Sequence, residues 1–386
     1  MLYIFMVHFL LYIGHKYHQF MATQQKKGET KNQHYVPQFY QRNFSNDGKT
    51  IGAYVLEKSR YIPKAPIKNQ SSGDYFYSDN MKIEKTLGLM EGMANVVIKK
   101  IIESPLERIS KEEEYTLYVF TMLQAGRTIF QVELIKESAN LFVRNTLKKI
   151  IELKRKYGKE EEVADITDEI IDRVELNFNS VGMMALGTQA QLVNTCIDLD
   201  YKIIINKTEK SFLASDNPAV IYDVFMERMK QIYALGSRGL MIYLPLSPFI
   251  AVLYYDSKCY KVGDRKKKYV DLISEKDVEE LNKLIVAKAS NVVYFRPSTY
   301  SEYQIRNFCD CVMKYRLSDK VAGYPEMVSE DGNPIIGSYH IPMFCNLSLS
   351  FVKELPKYSF IKPNQYNPAI HRLREIAYYR DDFILK

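Results

Sequence analysis

Apolar positions change their spacing twice along the chain. Up to about residue 80 they are irregular and broken by prolines, from there to about residue 199 they keep a helical period, and beyond it they run as strands. Between Met81 and Glu103, Ile83, Leu87, Met90, Ala94, Val97, Ile98 and Ile101 fall on one helical face, with Glu84, Gly88 and Glu91 on a stripe beside it. A long helix is expected from Lys111 to Lys156. It opens with Glu112, Glu113 and Glu114, which suit the positive end of a helix dipole. From Leu117 to Phe130 this stretch is apolar nearly all round, as a helix buried on most sides must be, yet it carries Gln124, Arg127 and Gln131 on one face. A charged connector (157–165) and a third helical region (about 166–199) follow. Tyr201–Asn206, Phe212–Tyr222 and Leu240–Tyr255 read as strands with proline-marked corners, before a helix at 275–289 and a strand at Val292–Phe295. Ile51–Lys58, after an Asp47-Gly48 turn, and Tyr75–Tyr77 read as strands of the irregular opening. Near the other end, Asp331–Pro334 reads as a turn and Asn367–Tyr379 as a helix.

This order predicts an α+β fold: an extended N-terminal motif, a central helical layer with a buried helix, then a mixed or antiparallel sheet. Residues 21–300 are expected to form one intertwined domain, because the N-terminal motif has no core of its own, with 301–386 packed on it as an extension. Residues 1–20 are apolar but have no basic lead, no small-residue cleavage site and too little length to span a bilayer. With the polar run after Met21, they read as an upstream mis-start or a weak apolar segment, and no stable membrane insertion is expected.

The densest pattern is His34-Tyr35-Val36-Pro37-Gln38-Phe39-Tyr40-Gln41-Arg42-Asn43-Phe44. Pro37 biases Val36 to extended backbone and removes a donor, so the run does not begin inside a helix. Polar groups among so many large apolar ones need specific partners, which predicts that His34, Gln38 and Arg42 bond inward, with the run lying against the Gln124/Arg127 face of the central helix and Glu84 or Glu91, on the helix before it, pairing with Arg127. The run resembles the opening motif of DUF4238, a family of mainly bacterial proteins of unknown function. Ser215-Asp216-Asn217-Pro218 and Pro245-Leu246-Ser247-Pro248 are similar to further motifs of that family in the same order, as are Glu84, Glu91 and the Gln124/Arg127 pair, over roughly residues 30–300. The resemblance implies a place among these proteins and no activity.

Composition changes the picture little. Among 386 residues, 46% are apolar and 26% charged, which is globular and not disordered. Thirty Tyr and 19 Phe with no Trp fit either codon bias or a groove that stacks flat ligands. A net charge of +7 suits nucleic acid if it is gathered in one groove, but the basic clusters at Lys148–Lys156 and Arg265–Lys268 have acidic neighbours. Five cysteines, with Cys309 and Cys311 too close for a zinc pair, fit reduced thiols in a cytoplasmic protein.

No GxSxG, HExxH, Walker or GxGxxG pattern occurs, which removes most of the case for the hydrolases and nucleotide enzymes built on them. Two readings remain. In the first, Glu91 or Glu84, then Asp216, then Asp256-Ser257-Lys258 hold Mg²⁺ or Mn²⁺ in the order of a restriction-endonuclease-like site. Lys258 steers the attacking water, and His34, Gln38, Arg42, Gln124, Arg127 and Asn217 complete the site of a nuclease acting as a toxin-like or defence effector. In the second, the chain is a non-catalytic nucleic-acid- or protein-binding module, and the same polar residues fix the fold. Convergence on an open pocket favours the first; burial with mutual pairing favours the second.

Overall fold

A computed structural model describes residues 32–77, 81–178, 180–316, 320–323, 327–328, 334–335 and 337–374. The apolar N-terminal segment 1–20, the Asp331–Pro334 turn apart from Pro334, and the end of the 367–379 helix lie outside the described residues. The fold is α+β.

The chain starts with β1 (Asn32–His34) and a short helix α1 (Gln38–Arg42), for which Pro37 is the N-cap. Then come β2 (Thr50–Val55), β3 (Arg60–Pro66) and β4 (Ser72–Asp74), the last pairing antiparallel with β1. Tyr75–Tyr77, expected as a strand, is a bend that follows β4. Helices α2 (Met81–Glu103), α3 (Lys111–Gly126), α4 (Ile129–Lys156) and α5 (Val181–Leu192) form the helical layer. Ser110 and Glu113 close a reciprocal capping box at the start of α3.

The single helix expected over 111–156 is therefore two. Thr128 has extended backbone (φ −111°, ψ 164°), and its hydroxyl donates to Asn217 Oδ1 at 3.2 Å. The third helical region is likewise helical chiefly at 181–192, with a short helical piece at Asp168–Asp172.

A five-stranded sheet runs β11 (Tyr269–Leu272), β5 (Asp200–Asn206), β9 (Ile250–Tyr255), β8 (Leu240–Pro245), β7 (Val220–Asp223); the short β10 (Tyr260–Val262) lies outside it. The sheet is parallel between β11 and β5 and antiparallel elsewhere. A second, antiparallel sheet runs β3-β2-β12-β6, where β6 is Ala214–Ser215 and β12 is Val292–Phe295. The expected strand 212–222 is thus split between the two sheets, and Asp216-Asn217-Pro218 is the crossing.

The five-stranded sheet is covered on both faces, which is why its strands are apolar without alternation. Leu240, Ile242, Leu244, Ile250, Val252 and Tyr254 join the core beneath α2, α3, α5 and the N-terminal motif. Met241, Tyr243, Ala251, Leu253 and Tyr255 join a second core under α6 (Val224–Met229), α7 (Glu275–Lys288) and α8 (Glu302–Met313). Beyond α8, β13 (Val321–Gly323) pairs antiparallel with β14 (Ser338–His340) beside α4. Among the described residues no helix is long and apolar enough to cross a membrane.

Candidate functional site

The polar residues of the first motif are divided between scaffold and surface. Gln33 accepts from Tyr77 N (2.8 Å), and Gln41, fully buried, donates to Val36 O (3.2 Å) and Gln70 O (3.4 Å). Tyr40 donates to Pro245 O at 2.6 Å, which ties α1 to the end of β8. The inward bonding expected of His34, Gln38 and Arg42 is taken over by Gln33 and Gln41. His34 Nε2 lies 3.4 Å from Gln38 Nε2, and Gln38 Oε1 accepts from the exposed Arg42 at 2.9 Å, so these three form a ladder along one edge. Burial lowers the His34 pKa.

The expected docking of the motif on α3 occurs through backbone. Gln124 Nε2 donates to Tyr35 O (2.9 Å), and its Oε1 accepts from Arg127 Nε (3.0 Å). Arg127 is fully buried at the C-cap of α3 and donates from Nη1 to Glu91 Oε1 at 2.8 Å, the partner expected from the preceding helix. Among the described residues its Nη2 has no hydrogen-bond partner, and its guanidinium carbon sits 5.9 Å from the Phe120 ring centre. Burial opposes the charge of Arg127, but Glu91, Tyr77 and Glu84 outweigh it and hold the guanidinium above its ordinary pKa. Glu84 is half-buried; burial, with Glu91 close by, raises its pKa.

A second set of bonds starts where α3 ends. Thr128 reaches Asn217, and Asn217 Nδ2 donates to Lys288 O at 2.9 Å. Asp216 uses both carboxylate oxygens on the loop between α7 and β12. Oδ1 accepts from Ser290 N (2.7 Å), and Oδ2 from Asn291 N (2.7 Å) and Val292 N (2.9 Å). Carbonyls of the last turn of α7 and of the same loop accept from Arg316: Nη1 donates to Val286 O (3.1 Å) and Ala289 O (2.5 Å), and Nη2 to Ser290 O (2.8 Å). Burial pushes the Asp216 carboxyl up to about 6 against the pull of these N–H groups and Arg316.

Asp256 also spends its oxygens on backbone, from Gly239 N (3.0 Å) and Lys258 N (2.9 Å), and Lys258 is exposed on the turn after β9. Glu84 and Glu91 are brought together with Arg127, but Asp216 and Asp256 are not brought to them. Among the described residues no three Asp, Glu, His or Cys side chains are grouped as a metal ion requires. The four carboxylates expected to hold Mg²⁺ or Mn²⁺ do not fit that ion as they stand.

The strap of bonds from Thr128 through Asn217 ends at a cavity of about 1020 Å³ that sequence reasoning did not find. Phe130, Leu134, Phe142, Ile221 and Ile341 supply apolar wall, while Gln131, Asn217, Lys288, Lys320 and His340 supply polar points. Gly126 closes one side of it. A Cβ there would lie 2.2 Å from the Gln189 side chain, so the glycine lets α3 approach α5.

Lys288 and Lys320 both face the Phe130 ring, with Nζ 5.2 and 5.7 Å from its centre. Lys320 pairs with Glu133 and, at 3.9 Å, with Glu137. Lys288 is half-buried, and among the described residues its ammonium has neither carboxylate nor hydrogen-bond acceptor. Burial lowers its pKa to about 8.

Residues 32–299 match the family described as "Protein of unknown function (DUF4238)". The chain belongs to the DUF4238 family. Neither the curated proteins nor the solved structures give a match. The matched region of this DUF4238 chain includes Gln124, Arg127, Asp216, Asn217 and Lys288, while Lys320 and His340 lie beyond it. Only the helix-end position of Lys288 was visible in the sequence, where a lysine reads as a solvated partner of the helix dipole.

Proposed function

We propose that this DUF4238 protein binds a small, largely apolar molecule whose one polar end presents oxygen to Lys288. The observation that carries the reading is a half-buried ammonium, unpaired among the described residues, in a mostly apolar cavity of about 1020 Å³. A cation taken from bulk water costs free energy unless something replaces its hydration, and an oxygen at the end of an apolar ligand does so. A cavity of this size holds a ligand of ordinary metabolite or drug dimensions, with apolar walls supplying affinity and a few polar groups supplying orientation. The strap through Thr128, Asn217 and Asp216 fixes the backbone on which Lys288 stands, so the site is set before a ligand arrives.

The nuclease reading asks for carboxylates free to hold a cation, and Asp216 and Asp256 are committed to backbone amides. The binding-module reading gains from the burial and pairing of Gln124, Arg127 and Asp216, with a small molecule in place of nucleic acid.

Displacement of an environment-sensitive dye by a series with one chain and different ends tests this: decanoate, decanal, decanol and decylamine. The first three displace the dye and decylamine does not, while Lys288→Glu reverses the order of decanoate and decylamine. Lys288→Met weakens decanoate about tenfold, or roughly 1.4 kcal/mol. Equal binding of decylamine, or no displacement by any of the four, overturns the reading. Cleavage of DNA or RNA by the pure protein with Mg²⁺ or Mn²⁺ reinstates the nuclease.

A further inference from the structure

Resting on that ligand-binding reading, we propose that Lys288 Nζ condenses reversibly with the aldehyde or ketone carbonyl of an apolar molecule held in the cavity, forming an imine. Four features of the site point to it. The amine has no hydrogen-bonded or ionic partner among the described residues, so no contact must break before it reacts. It stands at the last residue of α7, whose carbonyl Asn217 holds at 2.9 Å, so its base is fixed while its four-carbon stem reaches into open space. The Phe130 face, at 5.2 Å, gives the reacting end an apolar wall. Burial favours the neutral amine, and the pKa of about 8 leaves a useful fraction unprotonated near neutrality.

Lys320 provides the contrast inside the same cavity. It faces the same ring, but its ammonium is ion-paired with Glu133 and Glu137. Two lysines a few ångströms from one aromatic ring thus differ in whether carboxylates hold the nitrogen that must attack.

The step balances without oxidant or reductant. The Nζ lone pair attacks the carbonyl carbon, the C=O π pair moves to oxygen, and a proton passes from nitrogen to that oxygen to give a carbinolamine. The C–O bond then breaks as the oxygen takes a second proton from solvent, water leaves, and nitrogen closes the C=N bond to carbon and returns a proton to solvent. His340 lines the cavity and is exposed, so water has a way out.

The experiment uses the full chain, decanal and cyanoborohydride, with peptide mapping by mass. Reduction traps the imine as a secondary amine, with a mass gain of the aldehyde less one oxygen atom. The expected result is labelling of Lys288 at least tenfold faster than Lys320 or any surface lysine, and suppression of that labelling by excess decanoate. Lys288→Arg keeps the charge, still binds decanoate and loses the fast label, whereas Lys320→Arg keeps it. If decanal displaces the dye but label spreads evenly over lysines or favours Lys320, the imine is wrong and the binding reading stands. If decanal and decanoate fail to displace the dye at all, the binding reading fails and the imine with it. The wild-type peptide map decides the point even where a variant does not fold.

Discussion

Arg127 ends α3 and Lys288 ends α7, and the protein treats these two cations oppositely. Arg127 is fully buried, yet Gln124, Glu91 and the face of Phe120 answer it. Lys288 is only half-buried, yet among the described residues its ammonium meets only an aromatic ring. The first arrangement holds elements together: it joins α2 to the end of α3 and, through Gln124, to the N-terminal motif. The second makes no such tie among the described residues, and it is this difference on which the proposed ligand site rests. Burial alone therefore does not mark a functional site; an unmet bonding capacity facing open space does.

The sharpest way to break this comparison is to remove each cation. Arg127→Met leaves Gln124 Oε1 and Glu91 without their partner and is expected to cost about 3–5 kcal/mol, read by urea denaturation. A loss below about 1 kcal/mol means that the Arg127 cluster is not scaffold. Asp216→Asn comes next. An amide nitrogen then faces the N–H groups of Asn291 and Val292, or of Ser290, and orphaned donors cost about 2–3 kcal/mol. Unchanged stability, together with lost metal-dependent activity, returns Asp216 to catalysis.

Lys288→Met has the opposite sign. A lysine whose folded pKa lies below its unfolded value binds fewer protons folded than unfolded between about pH 8 and 10.5, so wild-type stability rises with pH through that window. Lys288→Met is accordingly more stable than wild type by about 1–2 kcal/mol at pH 7, and the gap closes towards pH 10.5. Paired melts at pH 7 and pH 10 check it; a destabilised variant at pH 7 makes Lys288 a structural cation. The smallest effect is expected of Arg42→Ala, which removes an exposed bond to Gln38 and changes stability by no more than about 0.5 kcal/mol.

The pairing of Arg127 with an acid on the preceding helix was legible because helix period and sequence order place both groups. The same period could not show the break at Thr128, since a run that is apolar all round looks alike whether straight or bent. The extended backbone there goes with a bond to Asn217, 89 positions away. Phe212–Tyr222 looked like one strand for a related reason: its apolar residues continue on both sides of Asp216-Asn217-Pro218, while the backbone leaves one sheet for the other. The first motif was read as a source of inward polar groups, but the inward ones are Gln33 and Gln41. Pro37 starts α1, and that helix turns Gln38 and Arg42 outward and Gln41 inward. The cavity left no trace in the sequence, because Phe130, Asn217, Lys288 and His340 meet only through the fold.

The loop gripped by Asp216 and Arg316 has a consequence for motion. Its amides are bonded to a carboxylate that belongs to the crossing between the two sheets, and its carbonyls to a guanidinium that follows α8. Releasing these amides to solvent requires the crossing, the end of α7 and the start of β12 to come apart together. The protons on Ser290, Asn291 and Val292 nitrogen are therefore expected to exchange with deuterium no faster than the whole molecule opens, whereas those of an ordinary three-residue connection exchange by local fraying. A segment that looks like a hinge in the chain is among the slowest clocks in the protein, and Lys288 is mounted on it.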